Sequence, residues 1–130
     1  MPMDDAMLGK KAIILVVDDE PDVLEIETLL LADLGYEVIP SNSAGEALAI
    51  IAGGATVDMV LTDLVMLGDV DGWRLAERIR EIRPQMKVAF TSGYVRPSAK
   101  AHIEAHGDDV LAKPWHLDEL AGFLRRALGP

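Results

Sequence analysis

The sequence predicts an α/β fold: a doubly wound, five-stranded parallel sheet with helices on both faces. Two observations carry the prediction. Short apolar runs rich in valine and isoleucine alternate five times with stretches whose apolar residues recur at helical spacing. The connections between them are short, and a βα alternation joined so tightly closes as a compact parallel sheet. At 130 residues, half of them hydrophobic, the chain suffices for one domain with its own core and not comfortably for two. No internal repeat, low-complexity tract or linker divides it. Residues 11–130 are expected to form that domain, behind a flexible, polar lead-in of residues 1–10.

Each element has its own signal. Ala12 to Val17 is a continuous apolar run that stops at Asp18-Asp19-Glu20-Pro21, which reads as a buried strand followed by a helix start with proline in its first turn. Val23, Ile26, Leu30 and Leu34 then mark an inner helical face, and Gly35 is placed to end that helix. Tyr36 to Ile39 reads as a second strand, at an edge and closed by Pro40. Ser43 and Glu46 have capping-box spacing and lead into Ala47, Leu48 and Ile51 before Gly53-Gly54. Val57 to Asp63 is the third strand, an apolar run ending on a carboxylate and followed by the turn-like Asp71-Gly72. Leu75, Ile79 and Ile82 give the third helix a face, with Arg78, Arg80 and Arg83 near its end and Pro84 to stop it. Lys87 to Thr91 is the fourth strand, and Pro97 to Ala105 a helix closing near His106-Gly107. Val110 to Ala112 meets Lys113-Pro114-Trp115. The last helix turns Leu117, Leu120, Leu124 and Leu128 inward, with acids early and arginines late.

Composition narrows the function. A formal charge of −10 argues against direct contact with nucleic acid or an anionic membrane, both of which need a basic surface. The absence of cysteine removes disulfides, thiol catalysis and thiolate metal sites. With no run of membrane-span length and no signal-peptide pattern at the N-terminus, a soluble, cytoplasmic protein is expected.

The chemistry collects at strand ends. The first strand ends at Asp18-Asp19, the third at Asp63, the fourth at Ser92 and the fifth at Lys113. Parallel strands deliver these ends to one edge of the sheet, where ligands of open α/β folds bind. Three clustered carboxylates repel one another and call for a cation or raised pKa values. Hard oxygen donors without histidine or cysteine point to Mg²⁺. Lys113 and Ser92 are suited to hold a transferring phosphoryl group, with an aspartate as its acceptor.

Taken together, Asp18-Asp19, Asp63, Ser92-Gly93 and Lys113-Pro114, with Asp63-Leu64-Val65-Met66 and Asp71-Gly72 between them, resemble the receiver domain of two-component response regulators. The resemblance runs from about Lys11 to Leu128 and implies a flavodoxin-like strand order 2-1-3-4-5. It implies that Asp63 is phosphorylated by the phosphohistidine of a partner histidine kinase or phosphotransfer protein. It further implies Mg²⁺ held by Asp18, Asp19, Asp63 and the Val65 main-chain carbonyl, Ser92 and Lys113 on the phosphoryl group, and a downstream protein partner. Such a module accepts and loses a phosphoryl group without being a turnover enzyme. Thr91 offers a second hydroxyl beside Ser92; Gly93, the small residue that usually follows, favours Ser92. Val65 and Tyr94, which in this pattern flank the approach of water to the acceptor, carry no carboxylate or carboxamide to orient it. Leu67 departs from a usual proline, and Val110 from a usual aromatic residue.

Alone, Asp18-Asp19 would be a helix cap, Lys113 a solvated lysine and Ser92 a turn former; their coincidence at strand ends favours chemistry. The three histidines lack metal-ligand spacing, and Trp73 and Trp115 read as packing residues. A phospho-independent pseudo-receiver is the main alternative. An aspartate-nucleophile, Mg²⁺-dependent phosphatase would need an acid where Val65 stands, and a flavodoxin-like cofactor binder a phosphate-cradling loop where Asp18-Asp19-Glu20 stands. The chain's end shortly after its fifth helix fits either a stand-alone regulator or a receiver cut from a longer protein such as a hybrid kinase.

Overall fold

A computed structural model of the chain describes residues 11–66, 72–93, 97–113 and 115–128, apart from the side chains of Ala99 and His102. The lead-in, Leu67, Asp71, Tyr94 and Pro114 lie outside the described residues. Five strands alternate with five helices: β1 (Ile13–Val17), α1 (Pro21–Asp33), β2 (Glu37–Ser41), α2 (Ala44–Ala52), β3 (Met59–Asp63), α3 (Gly72–Ile82), β4 (Lys87–Ser92), α4 (Pro97–Ala105), β5 (Asp109–Ala112) and α5 (Leu117–Leu128). The strands form one parallel sheet in the order β2-β1-β3-β4-β5, as expected.

The sheet separates two apolar layers. Leu15, Val17, Val60, Val88 and Phe90 pack against α2, α3 and α4 through Ala47, Ile51, Leu75, Ile79 and Ile103. Ile14, Val16, Met59, Leu61 and Leu111 pack against α1 and α5 through Leu24, Leu31, Leu120, Phe123 and Leu124. Each fully buried aliphatic side chain contributes about 1.5–3 kcal/mol relative to leaving it in water. These two layers fix the sheet, and the sheet fixes which strand ends meet.

Local chemistry explains the ends of the elements. Pro21 occupies the first turn of α1, and the residue before that helix is Glu20, so neither Asp18 nor Asp19 serves as its cap. Gly35 follows α1 at φ +100°, a conformation that suits glycine. Ser43 caps α2 by accepting the Glu46 N–H at 3.1 Å. Pro40 belongs to β2 and does not close it. The Glu37 N–H donates to the Ala12 carbonyl and the Asp18 N–H to the Ser41 carbonyl. Alternation then turns Pro40 away from β1, where its missing N–H leaves the ladder intact.

The expected helical faces shift in three places. On α1 the buried residues are Leu24, Glu27 and Leu31, while Ile26 is 57 % exposed. Ile82 of α3 and Leu117 of α5 also face solvent, and Phe123 takes a core position beside Leu120 and Leu124. Away from the strand ends where the acids gather, Arg80 of α3 forms a two-pronged ion pair with the buried Asp108, at 2.6 and 2.8 Å, and also donates to the Met86 carbonyl. That contact ties α3 to the entries of β4 and β5. Among the described residues, no helix is long and apolar enough to cross a membrane.

Candidate phosphoryl-acceptor site

Three of the strands, β1, β3 and β5, lead directly into acids or a base, and these side chains meet. Asp18 follows β1 and is wholly buried; Asp19 is half-buried beside it; Asp63 closes β3 and is half-buried. One carboxylate oxygen from each lies within 4.8 Å of the others. Lys113, just past β5, reaches into this group, its Nζ 3.0 Å from Asp18 Oδ2 and 3.5 Å from Asp63 Oδ2. Asp18 Oδ1 accepts the Glu20 N–H at 3.0 Å, and Asp63 Oδ1 accepts the Val65 N–H at 3.4 Å.

The backbone around these side chains is tied together. The Leu64 N–H donates to the Thr91 carbonyl at 2.8 Å, and the Lys113 N–H to the Ser92 carbonyl at 2.9 Å. Thr91 is the register partner of Asp63, Ser92 follows it, and both are buried. Val65 lies on the rim with its side chain 67 % exposed.

Charge is concentrated here. Burial pushes the Asp63 carboxyl above its ordinary value, against the attraction of Lys113 and with the repulsion of Asp18. Burial opposes the charge on Lys113, but its hydrogen bond to Asp18, with the acidic side chains of Glu27 and Asp63 nearby, outweighs that and holds the ammonium above its usual range. Three carboxylates face one ammonium, so the donor set of hard oxygens suits a small divalent cation.

The family model of the response regulator receiver domain matches residues 14–125. This chain belongs to that family. The receiver domain is 33% identical over 117 residues to the nitrogen assimilation regulatory protein NtrX of Azorhizobium caulinodans, covering 88% of this chain and 26% of NtrX. It is 30% identical over 116 residues to the response regulator receiver protein CpdR of Brucella abortus, covering 88% of this chain and 95% of CpdR. The chain thus spans about a quarter of the first relative and nearly all of the second. Among solved structures, a response regulator receiver domain protein from Clostridium thermocellum superimposes with a TM-score of 0.82 at 29% identity, over 90% of this chain and 94% of that one. Receiver domains are signalling modules of two-component systems, and this one carries their parallel fold.

Of the residues expected at this end of the sheet, the structure brings together the side chains of Asp18, Asp19, Asp63 and Lys113, and it sets Val65 and Ser92 beside them through backbone hydrogen bonds. Two further residues were not expected. Glu27, on the inner face of α1, is 4 % exposed, and its Oε1 meets no hydrogen-bond partner among the described residues; burial, with Asp18 nearby, pushes its carboxyl up from 4.5 to about 9. Gly72, read as part of a turn, instead begins α3 against the backbone of Asp63 and Leu64. Its N–H donates to the Leu64 carbonyl at 3.0 Å, and a Cβ there would lie 2.1 Å from the Asp63 carbonyl oxygen. The two tryptophans are half-buried packing residues as expected, Trp73 lying against Phe90 and His106.

Proposed function

We propose that this receiver domain takes a phosphoryl group on Asp63 from the phosphohistidine of a partner kinase or phosphotransfer protein, in a Mg²⁺-dependent reaction. The observation that carries the reading is the convergence of Asp18, Asp19 and Asp63 with Lys113 at one edge of the sheet. An oxygen of the Asp63 carboxylate attacks phosphorus, the P–N bond breaks, and its electron pair stays on the imidazole. Asp63 is held for this on both oxygens, by the Val65 N–H and by Lys113.

Asp18, Asp19, Asp63 and the Val65 main-chain carbonyl would hold Mg²⁺, which when bound neutralises charge on the carboxylates and the phosphoryl oxygens. Lys113 already lies between Asp18 and Asp63, so a small rotation carries its ammonium to a phosphoryl oxygen on Asp63. The Ser92 hydroxyl donates to another. The phosphorylated domain then presents an altered face to a downstream protein partner.

The test is intact mass after incubation with a small phosphodonor such as acetyl phosphate. One phosphoryl group is expected with Mg²⁺, none with chelator, and none on Asp63→Asn. Equal labelling of Asp63→Asn overturns the assignment of the acceptor. A parent chain that takes no label in Mg²⁺ favours an interaction module that works without phosphorylation.

A further inference from the structure

Thr62 precedes Asp63 on β3 and is wholly buried. Its register partners are Val17 on β1 and Phe90 on β4, so it shares the sheet face that those side chains pack against α2, α3 and α4. Valine has nearly the same shape, suits a strand as well and would extend that apolar layer. A hydroxyl buried among apolar side chains costs stability unless it is hydrogen-bonded. The Thr62 hydroxyl donates to the main-chain carbonyl of Asp63 at 3.0 Å.

The peptide unit that carries this carbonyl is held at its other end as well, where the Leu64 N–H donates to the Thr91 carbonyl at 2.8 Å. Gly72 lies against the oxygen that Thr62 binds, and its own N–H holds the Leu64 carbonyl at 3.0 Å. Because the peptide is planar, these contacts set the direction in which the chain leaves β3. That direction decides where Val65 falls, and the Val65 N–H donates to Asp63 Oδ1. Rotation of the Asp63–Leu64 peptide would carry Val65 away and release the carboxylate.

We propose that Thr62 is a positioning residue for the phosphorylation of Asp63: its hydroxyl fixes the Asp63–Leu64 peptide and, through it, the aim of the carboxylate. The proposal rests on the phosphorylation reading above. Thr62 acts through the backbone, since alternation along β3 turns its side chain to the face opposite that of Asp63.

Rates of acetyl phosphate labelling in Mg²⁺, read by intact mass with thermal denaturation alongside, separate this role from simple packing. Thr62→Ser keeps the hydroxyl and loses the methyl group; Thr62→Val keeps the shape and loses the hydroxyl. Thr62→Val is expected to label about tenfold more slowly than the parent, and Thr62→Ser within about twofold of it. Val88→Ala, a truncation of the same apolar layer near the start of β4, is expected to lower the Tm and leave the labelling rate parental. Parental labelling by Thr62→Val overturns the role, as does an equal loss in Thr62→Ser or in Val88→Ala. Should Thr62→Val fail to fold, Thr62→Ala set against Thr62→Ser isolates the hydroxyl in the same way. A parent chain that takes no label in Mg²⁺ overturns the phosphorylation reading itself, an outcome distinct from equal labelling by parent and Thr62→Val.

Discussion

A carboxyl pushed to about 9 makes the folded chain sensitive to alkali, and Glu27 is such a group. Between its ordinary value of 4.5 and about 9, the folded chain keeps a proton that the unfolded chain has released. The stabilising contribution is therefore complete below the ordinary value and is lost as pH rises through the folded one. Asp63, also raised, acts in the same direction. In metal-free buffer the Tm is expected to fall between about pH 5 and pH 9, and Glu27→Gln to flatten that decline; equal slopes for parent and variant would refute the link. Val65 bears on a different quantity, the lifetime of the proposed phosphorylated state. Its exposed isopropyl group stands beside Asp63 with nothing to orient a water. Slow hydrolysis is expected, and Val65→Asn should shorten the lifetime several-fold in a mass-spectrometric decay course; an unchanged lifetime would overturn this role for Val65. Asp18, Asp19, Asp63 and Lys113 were legible in the sequence because each ends an apolar run and thereby declares its place on the sheet. Glu27 was not. Leucine, isoleucine and valine surround α1 on more than one side, so helical period alone did not choose between the stripe through Val23, Ile26 and Leu30 and the stripe through Leu24, Glu27 and Leu31.

The first residue of α3 shows how an element can govern Asp63, the proposed acceptor. Gly72 sits so close to the Asp63 carbonyl that any side chain must push the helix from the strand end or move Asp63 itself. Gly72→Ala is expected to cost about 1–3 kcal/mol in urea denaturation. Acetyl phosphate labelling should slow with it, because the displaced backbone is the acceptor's own. A variant with parental stability and labelling would show that the helix start accommodates a methyl group freely. The sequence marked Asp71-Gly72 as a turn but held no sign of this approach, which depends on where the tertiary fold sets α3. The existence of all ten elements was legible from their periods and breakers. Their margins followed neighbours: β2 continues through Pro40 because only one side of that strand needs donors, and Ile82 and Leu117 lie where a helical face has turned past the sheet.

For the whole molecule, the question is how the proposed phosphorylation of Asp63 would reach a partner. Val110 on β5 is short and β-branched, with one restricted torsion and no ring to swing outward. The connections available run instead through the backbone bond from Lys113 to Ser92 and onward to Trp115, whose side chain packs beside the α1–α5 layer. With the beryllofluoride mimic, backbone amide shifts are expected early in α4, at Ser98 and Lys100, and at Trp115, as well as at the acids. Shifts confined to Asp18, Asp19, Asp63 and their immediate neighbours would refute a switch carried by these loops. The parallel α/β class followed from alternation alone, whereas the strand order came from likeness to a family, since spacing does not say which strands lie side by side. One edge of that sheet has a consequence for crowding. With Pro40 turned outward, β2 offers a foreign strand the outward N–H of Val38 and none at the next outward position. β5, at the opposite margin, is four residues long. At high concentration the molecule therefore resists polymerising by strand addition, and self-association is left to its helices and loops.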